Sequence, residues 1–310
     1  MRGKMIPITA QEQQNSALSL APQFDLSNKG AYQKWRDSRL ESAPDRVEDL
    51  LVEVGDIAKP TPSEHAKLVA LVAACNMAVT VEKSVPPDRD DKNALRALGR
   101  TLGLESLDGN HLADDDGITP LAVHRDGTRS RYIPYTERPI AWHTDGYYNA
   151  PSHRVRGLLL YCARPAAEGG ANKLMDPEAL YIALRDEDPA LVAALMRPDA
   201  MTIPPNEDEG MTRPAMGGPV FFVEQGRLQM RYTARTRSIE WHADPEVQAA
   251  AAAIRRHLDG PAPTLFQARL ESGWGLVSNN VLHTREPFKD DPAHPRLLYR
   301  ARYHDRISGT

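Results

Sequence analysis

Hydrophobic and polar positions change their pattern along this chain. Up to about residue 120 the apolar residues recur mostly at helical spacing, and beyond Leu121 they come in short runs of β type. "AYQKWRDSRLES" and "SEHAKLVALVAACN" read as helices. In the second, Ser63 is the expected N-cap, and Leu68, Leu71, Val72 and Cys75 fall on one face. "MAVTVE", Met77 to Glu82, reads as a strand, and "DDKNALRALGRTLG" as a further helix ending at Gly103. The acidic and polar "ESLDGNHLADDDGITP" reads as a loop.

The second pattern is a series of β-like runs: "SRYIPY", "VRGLLLYCA", "NKLMD", "AMTIP", "PVFFVE", "RLQMRYT", "GWGLVSN" and "RLLYRARY". "PVFFVEQGRLQMRYT" predicts a hairpin turning at Gln225-Gly226. Helical inserts are expected at about 176–197 and 244–259, because Asp176-Pro177 and Asp244-Pro245 each supply a cap and a first-turn proline. Many short strands with few helices between them predict an α+β, mainly β fold of sandwich or jelly-roll type. The expected organisation is one domain over 1–310. A polar, loosely held arm covers 1–25, a mainly helical part 26–120 and a β core 121–310. Pro204 to Gly218, polar and rich in Pro and Gly, suits either an active-site lid or an ordinary surface loop.

Composition narrows the function. The chain has 310 residues, 41% of them hydrophobic, enough for a substantial core. Its net charge is −4, and Lys and Arg form no basic block, so a nucleic-acid partner is not expected. A small anionic substrate remains compatible, since a pocket can be locally basic. No apolar run approaches the roughly 20 residues of a membrane span, and "MRGKMIPITAQEQQN" lacks the apolar centre of a signal peptide. The expectation is a cytoplasmic protein, with N-terminal helices that can form a homo-oligomeric contact. Cys75 and Cys162 stand apart from any CxxC or zinc spacing and read as buried free thiols.

The chemistry concentrates in "AWHTDGYYNA". His143 and Asp145 are two apart, so on a strand both side chains face the same way and can meet one ion. A transition metal needs a third ligand. His65 and His257 lie on helical patterns, and His111, His124, His153, His242, His294 and His304 lack a ligand-like context. His283, at a polar corner in "LVSNNVLHTREPF", is the best candidate. Two histidines and one carboxylate with open positions opposite are the ligand set of non-haem Fe(II) oxygenases. Downstream, Arg296, Arg300 and Arg302 share a strand face by parity and call for anionic partners.

"WHTDGYYN", then "EGGANKL", then "NNVLHTREPF…RLLYR" together resemble the TauD/TfdA family of Fe(II)/2-oxoglutarate-dependent dioxygenases, and its clavaminate-synthase-like branch in particular. The resemblance runs from about Tyr132 to Tyr303. It implies a double-stranded β-helix, a cupin-like jelly roll, with Fe(II) held by His143, Asp145 and His283. It further implies that Arg296 grips the distal carboxylate of 2-oxoglutarate. Asn172 stands where many members have a threonine bonding the same carboxylate. Arg300 matches a position that meets the substrate's acidic group in some members and supports the co-substrate in others. O2 is then consumed, succinate and CO2 are released, and a small anionic or zwitterionic substrate is oxidised. The presence of Asp145 favours hydroxylation or a related oxidation over halogenation. Tyr147, Tyr148 and Asn149 are expected near the mouth of the site, and Arg235 and Arg237 as a cationic wall. Two other classes remain open from the residues themselves. One is a metal-dependent hydrolase or isomerase on a cupin-like barrel, and the other a non-catalytic binding barrel.

Overall fold

The computed structural model describes residues 21–109, 114, 116–208, 211–260 and 264–310. Most of the expected N-terminal arm lies outside them. The chain enters through α1 (Lys29–Ser42), β1 (Leu51–Val54), α2 (Pro62–Cys75), β2 (Met77–Glu82) and α3 (Asp91–Thr101). The cap of α2 is Thr61, two residues before the expected Ser63. Thr61 and Glu64 close a reciprocal capping box, and Pro62 takes the first helical position.

Next come β3 (Thr119–Leu121), β4 (Ile140–His143), β5 (Gly157–Arg164), β6 (Glu168–Gly169) and β7 (Asn172–Met175). "SRYIPY", expected as β-like, instead forms two short 3-10 turns, Thr128–Arg131 and Ile133–Tyr135. In the second of them the Ile133 and Pro134 carbonyls accept from Arg285. Two helices follow, α4 (Pro177–Glu187) and α5 (Pro189–Leu195). Then come β8 (Met201–Ile203), β9 (Asn206–Asp208), β10 (Met211–Arg213), β11 (Met216–Gly218), β12 (Phe221–Glu224), β13 (Arg227–Met230) and β14 (Glu240–Trp241). The chain ends with α6 (Pro245–Asp259), β15 (Leu265–Ala268), β16 (Trp274–Ser278), β17 (Leu282–Arg285), β18 (Phe288–Lys289) and β19 (Leu297–Tyr303). Asp176 and Asp244 cap α4 and α6 with proline at the first turn. β12 and β13 turn through Gln225 and Gly226, both at positive φ.

Two sheets form the jelly roll. One has six strands in the order β1-β2-β16-β5-β19-β3, the other four in the order β15-β7-β17-β4. β5 shows why its run reads as unbroken apolar sequence. Leu158, Leu160 and Cys162 face the four-stranded sheet and pack with Leu174 and Phe266. Leu159 and Tyr161 face outward and pack under Leu68 and Val72 of α2 and Leu95 and Leu98 of α3. A strand buried on both faces has no polar alternation to show. Each leucine so buried contributes on the order of 2 kcal/mol relative to exposure. The N-terminal part therefore covers the outer face of the larger sheet and supplies three of its strands. A separate apolar cluster, with Leu180, Leu195, Phe221, Ile254 and Trp142, packs α4, α5 and α6 against the base of β4 and β17. That packing holds rigid the two strands that carry the site.

Candidate metal and 2-oxoglutarate site

β4 and β17 run antiparallel with His143 directly opposite His283. Directly opposed residues on one face sit close, and the two imidazole centroids are 4.2 Å apart. Each ring is fixed by the same local bond. His143 Nδ1 lies 3.0 Å from the carbonyl of Ala141, and His283 Nδ1 lies 2.9 Å from that of Val281. A carbonyl only accepts, so Nδ1 carries the proton in both rings and Nε2 keeps a free lone pair. Burial, then the nearby His143, pulls the pKa of His283 down to about 4, so the ring is neutral at pH 7.

Asp145 follows His143 on the turn leaving β4. Thr144 ties that turn to the 232–234 segment: its N–H donates to the Tyr232 carbonyl and its Oγ1 accepts from the Tyr232 N–H. Gly146 then turns left-handed at φ +66°, and a Cβ there would come within 2.6 Å of Val155. The backbone of Asp145 is held by Asn280, itself at φ +53°. Asn280 Oδ1 accepts from the Asp145 N–H at 2.8 Å, and its amide donates to the carbonyls of Asp145 and Val155. The Asp145 carboxylate lies 3.6 Å from His143 Nε2 and 3.4 Å from Arg300 Nη1. Burial alone would raise its pKa. Arg300, the His143 contact, Arg302 and His283 outweigh that and hold it well below the usual carboxylate range.

His143, Asp145 and His283 are the one group among the described residues whose ligand atoms all lie within 4.8 Å of one another. The donor set fits a divalent transition metal: two imidazoles with Nε2 turned from their backbone bonds, and one ionised carboxylate whose buried Oδ2 has no hydrogen-bond partner. The other histidines are engaged elsewhere or apart from this group. His65 meets the Thr101 carbonyl and His257 meets Glu187. His111 lies outside the described residues.

Arg296 lies just before β19, ahead of a register shift between Leu297 and Leu298, buried, with its guanidinium 4.8 Å from the centre of the Phe288 ring. No carboxylate among the described residues lies within ion-pair distance of it, and burial lowers its pKa. It lines a recess of about 230 Å³ with Gly169, Gly170, Asn172 and Arg269. Gly169 is required there, because a Cβ would come within 2.5 Å of the Pro287 carbonyl. Asn172 shares the recess, but one of its amide protons goes to the Thr284 carbonyl at 2.6 Å.

The three arginines expected on one face have unequal company. Arg302 is 3% exposed, pairs with Asp108 and donates to the Tyr148 hydroxyl at 3.0 Å. Among the described residues Arg300 pairs only with Asp145, and the Arg296 guanidinium pairs with no acid, although the Arg296 backbone N–H donates to Asp290 Oδ1 at 2.7 Å. Tyr147 and Tyr148 stack edge to face beside the site. Asn149, expected at the mouth, donates to the His153 carbonyl at 2.7 Å. Arg235 is half-buried, two residues beyond Thr233, which bridges His143; Arg237 is exposed on a 3-10 turn.

Two residues here escaped the sequence reading as parts of the site. Asn280 was visible only as a polar corner. Arg285, two residues after His283, is buried and donates to the carbonyls of Ile133, Pro134, Thr136 and Arg138. It thereby clamps the segment that leads into β4. Burial, then the charge of Arg296, lowers its pKa to about 9. The stretch weighed as lid or loop is a hairpin, β9 with β10, followed by β11 on the edge of β8; residues 209 and 210 at its tip are not described.

A jelly roll with two facing imidazoles and one acid, and with a buried guanidinium lining a recess beside β7, fits a class, the non-haem iron oxygenases. Residues 56–302 match the family model described as taurine catabolism dioxygenase TauD, TfdA family, and the chain belongs to that family. A uridine-5'-phosphate dioxygenase of a Streptomyces species is 32% identical over 61% of this chain and 70% of its own. A second, of an Amycolatopsis species, is 34% identical over 52% of this chain and 60% of its own. An asparagine oxygenase solved with Fe(II), hydroxyasparagine and succinate shares the fold at a TM-score of 0.58 and 15% identity, covering 78% of each chain. The non-haem iron oxygenase OrfP does so at 0.58 and 15%, covering 80% of this chain and 82% of its own, in a complex with iron, succinate and hydroxyarginine. The protein is thus an Fe(II)- and 2-oxoglutarate-dependent dioxygenase of small molecules, consuming O2. The hydrolase and binding-barrel alternatives fall with that membership. No helix among the described residues is long and apolar enough to cross a membrane.

Proposed function

We propose that His143, Asp145 and His283 bind the iron, that Arg296 binds the distal carboxylate of 2-oxoglutarate, and that the substrate is a small anion. The observation that carries this is the pairing of two imidazoles with free Nε2 beside a guanidinium that has no acid of its own. Iron with 2-oxoglutarate supplies O2 activation and oxidation of a C–H bond, with succinate and CO2 as by-products. The chain's own residues orient and enclose. The Ala141 and Val281 carbonyls keep both Nε2 atoms aimed inward, and Asn280 holds Asp145 beside them. Arg296 lines the recess and fixes one end of the co-substrate, with the second Asn172 amide proton turned to the same task.

The anionic substrate follows from Arg300 and Tyr148 at the mouth, and its class from the relatives. Two uridine-5'-phosphate dioxygenases at 32% and 34% identity make nucleoside monophosphates the first compounds to test. Tyr147, Asn149, Arg235 and Arg237 are further contacts in this reading. The test is anaerobic titration of the protein with Fe(II) and 2-oxoglutarate, then admission of O2 with a panel of nucleoside monophosphates, sulfonates, amino acids, betaines and aryloxy acids. Substrate-dependent succinate release with an anion is the expected result. Turnover of uncharged lipophilic compounds alone overturns the anionic reading.

A further inference from the structure

Arg302 lies two residues beyond Arg300 on β19, past the register shift, so the two side chains leave the strand on one face about 7 Å apart. Arg300 Nη1 is 3.4 Å from both oxygens of Asp145. One strand step away, the buried Arg302 spreads its guanidinium between two partners. Nη2 pairs with Asp108 Oδ2, and Nη1 donates to the Tyr148 hydroxyl at 3.0 Å. Asp108 is itself tied to the strand, because its N–H donates to the Arg302 carbonyl at 2.7 Å. The Asn149 amide lies 3.5 Å from its other carboxylate oxygen. Arg302 is therefore held at both ends and matched in charge.

The Arg302 contact decides the polarity of Tyr148. A guanidinium only donates, so the phenol oxygen accepts and its own proton points away from Arg302. No group among the described residues accepts that proton. Tyr148 is half-buried, three residues beyond Asp145, and Tyr147 packs edge to face against its ring. The result is a hydroxyl oriented as a donor one strand step from the metal ligands. An ammonium group finds no acceptor in it. An oxygen anion does, and hydrogen bonds to charged acceptors are the stronger ones. The local charge agrees. Arg302 is matched by Asp108, whereas Arg300 faces only Asp145, a carboxylate the proposed function commits to a dication. A phosphate monoester brings about −1.5 to −2 near neutral pH and three strong acceptor oxygens.

We propose that the Tyr148 hydroxyl donates to a phosphoryl oxygen of the substrate, and that Arg302, braced by Asp108, is the positioning residue that aims it. The assignment rests on the anionic-substrate reading above and adds the donor, its polarity and the residues behind it. The experiment is calorimetric titration, without oxygen, of uridine 5'-phosphate and of uridine into the full chain loaded with Fe(II) and 2-oxoglutarate. The quantity read is the ratio of the two dissociation constants, in wild type, Tyr148→Phe, Arg302→Lys and the double variant. Tyr148→Phe keeps the ring and is expected to shrink the preference for the phosphate about tenfold or more. Arg302→Lys keeps a charge for Asp108, but one ammonium does not replace Nη1 and Nη2 at their separate partners. It is expected to shrink the preference several-fold in wild type and not at all in Tyr148→Phe. An equal loss in both backgrounds, or no loss in either, overturns the positioning role of Arg302. A Tyr148→Phe that weakens both ligands alike, or neither, leaves the ratio in place and overturns the donor. A wild type that binds the two alike, or binds neither, overturns the phosphoryl substrate and the role of Tyr148 together. The iron and 2-oxoglutarate assignments are read separately, by their own anaerobic titration.

Discussion

Two clusters of buried charge make an instructive pair. One joins Arg39, Asp176 and Glu178 to Asn76, Asn279, Arg306 and the terminal Thr310. Arg39 meets both carboxylates at 2.7 Å, Asn76 donates to Asp176 at 2.8 Å, and Arg306 donates to the Asn76 side chain at 2.6 Å. Asn279 links Asn76 to Thr310. None of their buried side-chain polar atoms lacks a partner. The other cluster joins Asp145, Arg300, Arg302 and Asp108. Of the eight buried side-chain polar atoms without a hydrogen-bond partner among the described residues, five belong to it; Asp108 Oδ2 and Arg302 Nη2 form an ion pair with each other, which leaves Asp145 Oδ2, Arg300 Nε and Arg302 Nε as its open atoms. Both clusters bury carboxylates and guanidiniums; they differ in closure. A network that satisfies itself holds strands and helices together, and one that leaves valences open inside a packed fold is waiting for ligands.

Removing one member from each cluster gives the sharpest contrast. His143→Ala is expected to abolish turnover, while the stability of the metal-free protein stays within about 1 kcal/mol of wild type. Asp176→Ala is expected to do the reverse. It removes one of the two carboxylates of Arg39, the acceptor of the Asn76 amide and the cap of α4, and costs about 3–5 kcal/mol of stability, while the molecules that remain folded still turn over. Urea unfolding of the metal-free proteins, with succinate release on the loaded ones, reads both. Comparable destabilisation by the two substitutions would erase the distinction.

Arg296 sharpens the same comparison, because its guanidinium is buried with no carboxylate within ion-pair distance among the described residues; Asp290 reaches only its backbone N–H. Arg296→Ala should lower 2-oxoglutarate affinity by about 2–5 kcal/mol, roughly 30-fold or more, with little loss of stability because no native ion pair is broken. Anaerobic equilibrium dialysis of 2-oxoglutarate checks it, and an unchanged dissociation constant would remove Arg296 from the recess's function.

What could be read in advance divides along similar lines. His143 and Asp145 were legible because two residues on one strand face make a local pattern, and His283 because it follows a polar corner. The double burial of β5 was legible as a run without alternation. Asn280 was not, because its task depends on a left-handed corner meeting a turn 135 residues earlier. Arg285 was not, because its partners are four backbone carbonyls, which look alike in every sequence. Parity put Arg296, Arg300 and Arg302 on one face; Arg296 lies just before β19 and a register shift between Leu297 and Leu298 separates it from the other two, and parity does not say which of them finds an acid. The β9–β10 hairpin lay in a stretch whose prolines and glycines hid three short strands.

The closed cluster also predicts a pH dependence opposite in sign to the one that the depressed Asp145 gives the open cluster. Glu178 is nearly inaccessible; burial, and then the neighbouring Asp176 charge, push its pKa up to about 7 against the partial relief from Arg39. An acid whose pKa is higher folded than unfolded binds more protons in the native state between the two values. Stability then falls as pH rises through that window, here from about 4.5 to about 7. Glu178→Gln keeps the shape and removes the titration. The stability of wild type relative to Glu178→Gln should therefore drop by about 1–2 kcal/mol between pH 5 and pH 7. Urea unfolding of the metal-free proteins at the two pH values measures it without involving the iron ligands. Parallel profiles for the two proteins would mean that Arg39 already holds Glu178 ionised at pH 5, and that the closed cluster is a salt-bridge triad with no proton in it.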